Sequence, residues 1–323
     1  VRGRFLDGET GAPRVAFEFR AKLVVVACGS LHTPVLLRRS GLDHRDIGRH
    51  LTLHPAFRVG ALFDDEVAGW DGALQSVYSD HFLESDGITL VGVYSPVNVL
   101  AAAFPGVGSH YRKLVREIPR LAIFGGMLHD DGGGRVHRWL SREPLVLYKM
   151  IKRDKARLMK GIHTVARMAF AAGAREVMLP VFGMPTVTKL SELDFLIDHA
   201  PSARKVECMA FHPLGSAKMG IDRTRGVVKL TGETWDVDNL VVADGSVLPT
   251  SIGVNSQLPV MAVATKIARG FARTGRSTPD ARCDRAVAPR PPWKARLSAS
   301  VSPPAPSSRF PPSGRPLLHG SAR

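Results

Sequence analysis

The run KLVVVACG, residues 22–29, narrows the options for this chain more than any other segment. An unbroken apolar stretch that stops at a glycine reads as a fully buried strand of a parallel sheet. The following TPVLLRRSGL has helical spacing and closes on Gly41, so a short helix is predicted. Strand, glycine, helix is the layout found at the edge of a nucleotide-binding sheet. The same style returns late in the chain. NLVVA, residues 239–243, reads as a second buried strand, Asp244-Gly245-Ser246 as a turn, and residues 257–273 as a helix.

Between these ends the pattern changes. Residues 56–63, 88–95, 120–128 and 135–140 read as strands with few helices between them, which predicts an antiparallel sheet. Residues 14–20 alternate as a half-wet strand. A helix is predicted over 153–172, with Leu158, Ile162, Val165, Met168, Ala169 and Ala172 on one stripe, and another over 191–199 with Ser191 as N-cap.

The formal charge is +15 over 323 residues, and +7 of it sits in residues 281–323, which also hold nine prolines. That tail has too little apolar surface to offset chain entropy and is expected to be disordered from about residue 276. Charge alone is a weak argument for nucleic acid, and no specific nucleic-acid binding is expected. The three cysteines, Cys28, Cys208 and Cys283, form no CxxC pair, so neither a disulfide framework nor a zinc site is predicted. No metal-ligand spacing is found. The first residues carry no signal peptide, which predicts a cytoplasmic protein. The uncharged stretch 88–111 is broken by Pro96 and Pro105 and is not a spanning helix. Contact of that stretch with a membrane surface stays open.

Three stretches together resemble the glucose–methanol–choline (GMC) family of FAD-dependent oxidoreductases. GSLHTPVLLRRSGL, residues 29–42, is similar to one family signature, with Asp43 where a glycine usually closes it. FHPLGSAKMG, residues 211–220, resembles the family's His-Pro-x-Gly-Ser segment. VVADGSVLPTSIGVNSQLPVMAVATKIA, residues 241–268, resembles its C-terminal flavin-binding segment. The resemblance implies FAD as cofactor, His212 as catalytic base and Asn255 as its partner. It further implies that Gly29, Ser30, Asp244, Gly245, Ser256, Gln257 and Leu258 lie at the cofactor. A long-chain alcohol oxidase or a sterol-type member is the subfamily it suggests.

The implied fold is α/β plus α+β. Residues 1–55 would be the C-terminal part of a Rossmann-like FAD-binding domain whose GxGxxG portion is absent. Residues 56–205 would be an antiparallel-sheet substrate domain, and 206–275 the catalytic and flavin-binding segment. The implied reaction is oxidation of an apolar alcohol, with oxygen or another molecule as electron acceptor. Histidine suits the proton because its ordinary pKa, ~6.5, leaves it neutral and basic near pH 7. Asparagine offers both a donor and an acceptor to orient the hydroxyl. Plainer readings stand beside these: Asn255 as a helix cap, Asp244 as a turn residue, the chain as a fragment without activity, or a non-redox member acting like a hydroxynitrile lyase. His54, in GRHLTLHP, is assigned no chemistry.

Overall fold

The computed structural model describes residues 1–273, apart from residue 74, residues 104–106, residues 140–142 and residue 185. The predicted disordered tail lies outside the described residues. The chain opens with strands β1 (Arg2–Leu6) and β2 (Pro13–Glu18), an antiparallel pair, then β3 (Val24–Val26) and helix α1 (Gly29–Arg39). There follow β4 (Ala56–Leu62), β5 (Tyr78–Ser79), α2 (Leu83–Asp86), β6 (Ile88–Gly92), α3 (Val97–Ala103) and α4 (Gly108–Arg116). Strands β7 (Leu121–Leu128), β8 (Gly133–His137) and β9 (Leu145–Lys149) lead to the long helix α5 (Lys152–Ala171) and to β10 (Glu176–Met178). A short helix, α6 (Phe195–Asp198), strand β11 (Leu240–Val242) and helix α7 (Gln257–Arg273) complete the described chain.

β3 and β11 pair in parallel, Val24 with Leu240 through Val26 with Val242, although some 200 residues separate them in sequence. The first apolar run is therefore a parallel strand, as expected. It is not fully buried: Val25 is 55% exposed, because among the described residues β3 has only one neighbouring strand and one covered face. Helix α1 stops at a glycine with left-handed backbone. Gly41, at φ 88°, donates to the Arg38 carbonyl while Leu42 donates to that of Leu37, which satisfies two terminal carbonyls.

The middle of the chain builds a five-stranded antiparallel sheet in the order β10-β4-β7-β6-β5. Helix α5 packs on it. Leu158, Ile162, Val165 and Ala169 face Phe57, Val59, Ile88 and Leu128 in one buried cluster. Each of these side chains larger than alanine contributes roughly 1.5–3 kcal/mol by leaving water. Met168 is 49% exposed and Ala172 lies beyond the helix, so the expected stripe was drawn too wide. Met159 and Ala166 take up the core positions instead. The helix expected over 191–199 is broken at Asp194 into a 3₁₀ turn and α6. Its start is held by Glu192, whose carboxylate accepts the Thr188 and Lys189 N–H groups, rather than by Ser191.

Buried Asp154, in the first turn of α5, accepts the N–H groups of Asp131 (3.1 Å) and Gly132 (2.7 Å) and so pins the turn after β7. The stretch 88–111 is divided among β6, α3 and α4, and no helix among the described residues is long and apolar enough to cross a membrane.

Candidate active site

Residues 209–214, which carry His212, run antiparallel to residues 52–56. Thr52 and Leu214 exchange backbone hydrogen bonds at 3.1 and 3.0 Å, and Ala56 and Met209 do so at 2.8 and 2.9 Å. The register slips by one residue between these pairs, as at a β-bulge. Two His-Pro dipeptides, His54-Pro55 and His212-Pro213, thus come side by side, and the imidazoles of His54 and His212 meet edge to face at 6.0 Å.

His212 is half-buried, and burial holds its pKa below the ordinary histidine value. Its Nδ1 lies 3.3 Å from Ser256 Oγ. Ser256 immediately precedes α7, and its carbonyl accepts the Val260 N–H at 2.9 Å, the first bond of the helix. The candidate partner Asn255, next in the chain to Ser256, is exposed, as are Gln257 and Leu258 at the helix start. The first N–H groups of a helix have no intrahelical acceptor and carry partial positive charge.

Behind His212 the packing is tight and specific. Gly215 has φ 84°, and a Cβ there would stand 2.3 Å from the His50 carbonyl oxygen. Only glycine accepts both conditions. Gly215→Ala is expected to cost about 3 kcal/mol through strain and overlap, read as a lowered urea midpoint. An unshifted midpoint would refute this close approach. Ser30, buried at the start of α1, donates from Oγ to the Pro213 carbonyl (2.6 Å), and Ser216 Oγ donates to the Ser30 carbonyl (2.6 Å). Gly245 packs on the same segment, since an added Cβ would lie 3.0 Å from Leu214 and 3.3 Å from the Pro213 carbonyl.

Asp244 is a buried four-way junction. Oδ2 accepts the Gly29 N–H (2.9 Å) and the Thr33 hydroxyl (2.5 Å); Oδ1 accepts the Ser246 N–H (2.8 Å) and hydroxyl (2.5 Å). The carboxylate is engaged with the protein, so any part it plays toward a cofactor is through the backbone it holds.

The loop 251–255 is anchored from the sheet side. Thr89 Oγ1, on β6, donates to the Gly253 carbonyl (2.7 Å). The Asp130 N–H donates to Ser251 Oγ (3.3 Å), and the Ile252 N–H donates to His54 Nε2 (2.9 Å). Asp130 in turn accepts the N–H groups of Leu53 (3.0 Å) and His54 (3.1 Å) and the Tyr148 hydroxyl (2.8 Å). Burial, and then the Asp130 carboxylate, push the Tyr148 hydroxyl far above its ordinary range, so it stays protonated and donates. These groups escaped the sequence reading. The repeated His-Pro dipeptide was the one sign of them.

Ser30, Asp244, Gly245 and Ser256 all lie against or behind the His212 segment, while Gly29 and the start of α7 open outward. An added Cβ on Gly29 meets nothing within 4 Å. This arrangement fits FAD: half-exposed Gly29 leaves room for a close approach at the start of α1, with buried Ser30 behind it, and the N–H groups of exposed Gln257 and Leu258 suit a flavin edge that becomes negative. Among the described residues no group of three or more His, Cys, Asp or Glu gathers as metal ligands. Cys28 and Cys208 are free thiols, and Cys283 lies outside the described residues.

Family models place the chain. One described as GMC oxidoreductase, N-terminal, matches residues 5–56, and its C-terminal counterpart matches residues 142–264. An uncharacterized GMC-type oxidoreductase of Mycobacterium tuberculosis is 39% identical over 269 residues, which is 83% of this chain and 42% of that protein. The long-chain-alcohol oxidase FAO1 of Arabidopsis thaliana is 30% identical over 284 residues, covering 80% of this chain and 36% of its own. The chain thus spans about two fifths of the length of these two relatives. Pyridoxine 4-oxidase from Mesorbium loti shares the fold at a TM-score of 0.59 with 22% identity, over 82% of this chain and 53% of that one. A variant of formate oxidase from Aspergillus oryzae, concerned with FAD modification, does so at 0.58 with 18% identity, over 79% and 55%. With both family models matched in order and the His212 segment brought against the start of α7, the chain belongs to the glucose–methanol–choline family of FAD-dependent oxidoreductases.

Proposed function

We propose that this chain carries the proton-transfer half of the active site of an FAD-dependent enzyme that oxidises an apolar, long-chain or sterol-like alcohol. The observation that carries the reading is the meeting of His212 with Ser256, at 3.3 Å, beside exposed Asn255 and the open start of α7. With its proton on Nδ1 and given to Ser256 Oγ, the His212 ring keeps a bare Nε2 that takes the proton of a substrate hydroxyl. Its lowered pKa keeps that nitrogen unprotonated at neutral pH. Asn255 holds the hydroxyl oxygen, and so sets which hydrogen on carbon faces the cofactor. When bound, FAD supplies the acceptor for the hydride that leaves this carbon. The start of α1 at half-exposed Gly29 and the N–H groups of Gln257 and Leu258 are the groups that would hold it, with buried Ser30, Gly245 and Ser256 forming the wall behind them.

An apolar substrate is favoured by exposed apolar side chains on the segments that carry His212 and Ser256. Phe211, 67% exposed, stands 6.5 Å from the His212 ring, and Leu258 is 75% exposed. The resemblance to long-chain-alcohol oxidase FAO1 points the same way. Oxygen or another electron acceptor would complete turnover. Anaerobic bleaching of the flavin-loaded protein by a long-chain alcohol tests the reading. Retained flavin colour across apolar alcohols, with cleavage of a cyanohydrin instead, would replace it with the non-redox alternative. In the same assay Asn255→Ala is expected to slow flavin reduction about 10-fold or more while flavin stays bound. Loss of flavin with an unchanged rate per bound flavin would make Asn255 a purely structural cap.

A further inference from the structure

His54 is the one completely buried imidazole among the described residues, with no exposed surface at all. It stands between the two segments that carry His212 and Asn255. Its Nδ1 lies 3.0 Å from the backbone carbonyl of His212 itself. A carbonyl can only accept, so Nδ1 carries a hydrogen. On the opposite side of the ring the Ile252 N–H points at Nε2, 2.9 Å away. An N–H can only donate, so Nε2 is bare. The two neighbours together fix both the tautomer and the charge: a neutral ring, protonated on Nδ1. The tautomer is dictated by backbone groups that have no freedom to exchange roles.

The holding of this ring is itself over-determined. Its backbone is left-handed, at φ 51°, an uncommon state for a side chain of this size. Asp130 accepts the N–H groups of both Leu53 and His54, and Tyr148 donates to the same carboxylate. Asp130 also donates its own N–H to Ser251, two residues short of Gly253. Pro55 follows and limits the backbone further. A strained, buried, doubly bonded histidine next to a candidate base is an arrangement with a purpose.

We propose that His54 is a positioning residue: its neutral imidazole bridges the His212 carbonyl and the Ile252 amide, and so fixes the separation between the proton-accepting segment and the loop that ends in Asn255. This rests on the functional reading above for its catalytic meaning, but not for its structural content. Thr89 and Asp130 hold the loop to the sheet rather than to the His212 segment, which it meets through the 3.3 Å contact of Ser256; loss of the ring would leave the two segments freer to shift, and misplacement of about 1 Å costs ~10²-fold in rate. The ring removes that freedom. The titratable groups around it are Asp130, His212 and His129. Burial holds the pKa of His54 below its ordinary 6.5 and outweighs the Asp130 carboxylate, which acts the other way. The neutral form is therefore the one the fold selects. Stability from this bridge is complete above pH 6.5 and is lost as pH falls below that value.

The test uses the full chain with ¹⁵N-labelled histidine, and two variants. In the unaltered protein, nitrogen shifts should show His54 as the Nδ1–H tautomer, with no ordinary titration near pH 6.5. An Nε2–H tautomer, or ordinary titration, overturns the proposal by itself, even if the variants do not fold. His54→Phe keeps the ring volume and loses both hydrogen bonds. His54→Asn tolerates the left-handed backbone and keeps a donor near the Nδ1 position. Expected for His54→Phe is a rise in the His212 titration midpoint toward the ordinary value and a 10- to 100-fold fall in the rate of flavin reduction, with little change in substrate affinity. His54→Asn should recover part of both. Leu158→Ala, which opens a cavity in the distant core, should lower stability without moving the His212 titration. An unmoved His212 in His54→Phe, or an equal shift in Leu158→Ala, would reduce His54 to a packing residue. Should no alcohol reduce the flavin of the unaltered protein, the functional reading fails, while the tautomer and the His212 titration still decide the role of His54.

Discussion

Replacing His212 with alanine should slow anaerobic flavin reduction by an alcohol by ~10²-fold or more, the usual contribution of a positioned general base. The fold should survive, because the ring is half-buried and its one described side-chain hydrogen bond is the 3.3 Å contact with Ser256. The hydrogen bonds that hold the segment, from the Ser30 hydroxyl to the Pro213 carbonyl and between the backbones of Leu214 and Thr52, do not involve the imidazole. The pH dependence gives a second and sharper check. A base works only when unprotonated, and burial lowers the pKa of this one. The unaltered protein should therefore lose activity as pH falls through a midpoint below ~6.5, and the alanine variant should lack that acid limb. A variant that reduces flavin at the original rate, with the acid limb intact, would mean that another group takes the proton.

The second large effect concerns stability. Asp244→Ala should cost roughly 3–5 kcal/mol, measured by urea unfolding. The substitution leaves two N–H groups and two hydroxyls without their acceptor in a buried place, and each orphaned group costs about 1–3 kcal/mol before relaxation. Against a domain stability of 5–15 kcal/mol that is a large share. The loss is local in origin. Gly29 and Thr33 belong to the junction of β3 and α1, and Ser246 to the turn after β11, so the carboxylate joins the two ends of the fold at one point. Asp244→Asn should cost less, since its amide oxygen still accepts. A loss under ~1 kcal/mol for the alanine variant would mean that water replaces the carboxylate.

Local signals in the sequence located most elements, and the exceptions have physical causes. β4, β6 and β7 fall within the predicted strands, because each buries one face against a single core, and helix α7 begins where it was expected and buries Ile267 and Phe271 against Val241. β1, β5, β9 and β10 were not foreseen. They are two to five residues long and depend on a partner strand rather than on their own pattern. The antiparallel character of the sheet was visible, but its order, which sets β10 beside β4, was not. At the site, His212, Asn255 and Ser256 could be named from motif resemblance. Asp130, Thr89 and His54 could not, since each acts through a partner 76 to 198 residues away, and Tyr148 could not, since it acts only through Asp130. Pairings of that range leave no periodic trace. The Asp244 carboxylate shows the converse: its position was noticed, but only the geometry reveals that the protein occupies all four of its accepting directions.

The parallel pairing of β3 with β11 has a kinetic consequence. Closing so long a loop is entropically costly, and it is best done after the intervening sheet and α5 have already shortened the effective distance. The expected order of assembly is that the body between the two strands condenses first and the His212 and Ser256 segments meet last. During refolding, burial of the α5 core should precede the meeting of His212 with Ser256. A partly assembled molecule would then present a finished sheet and no working centre.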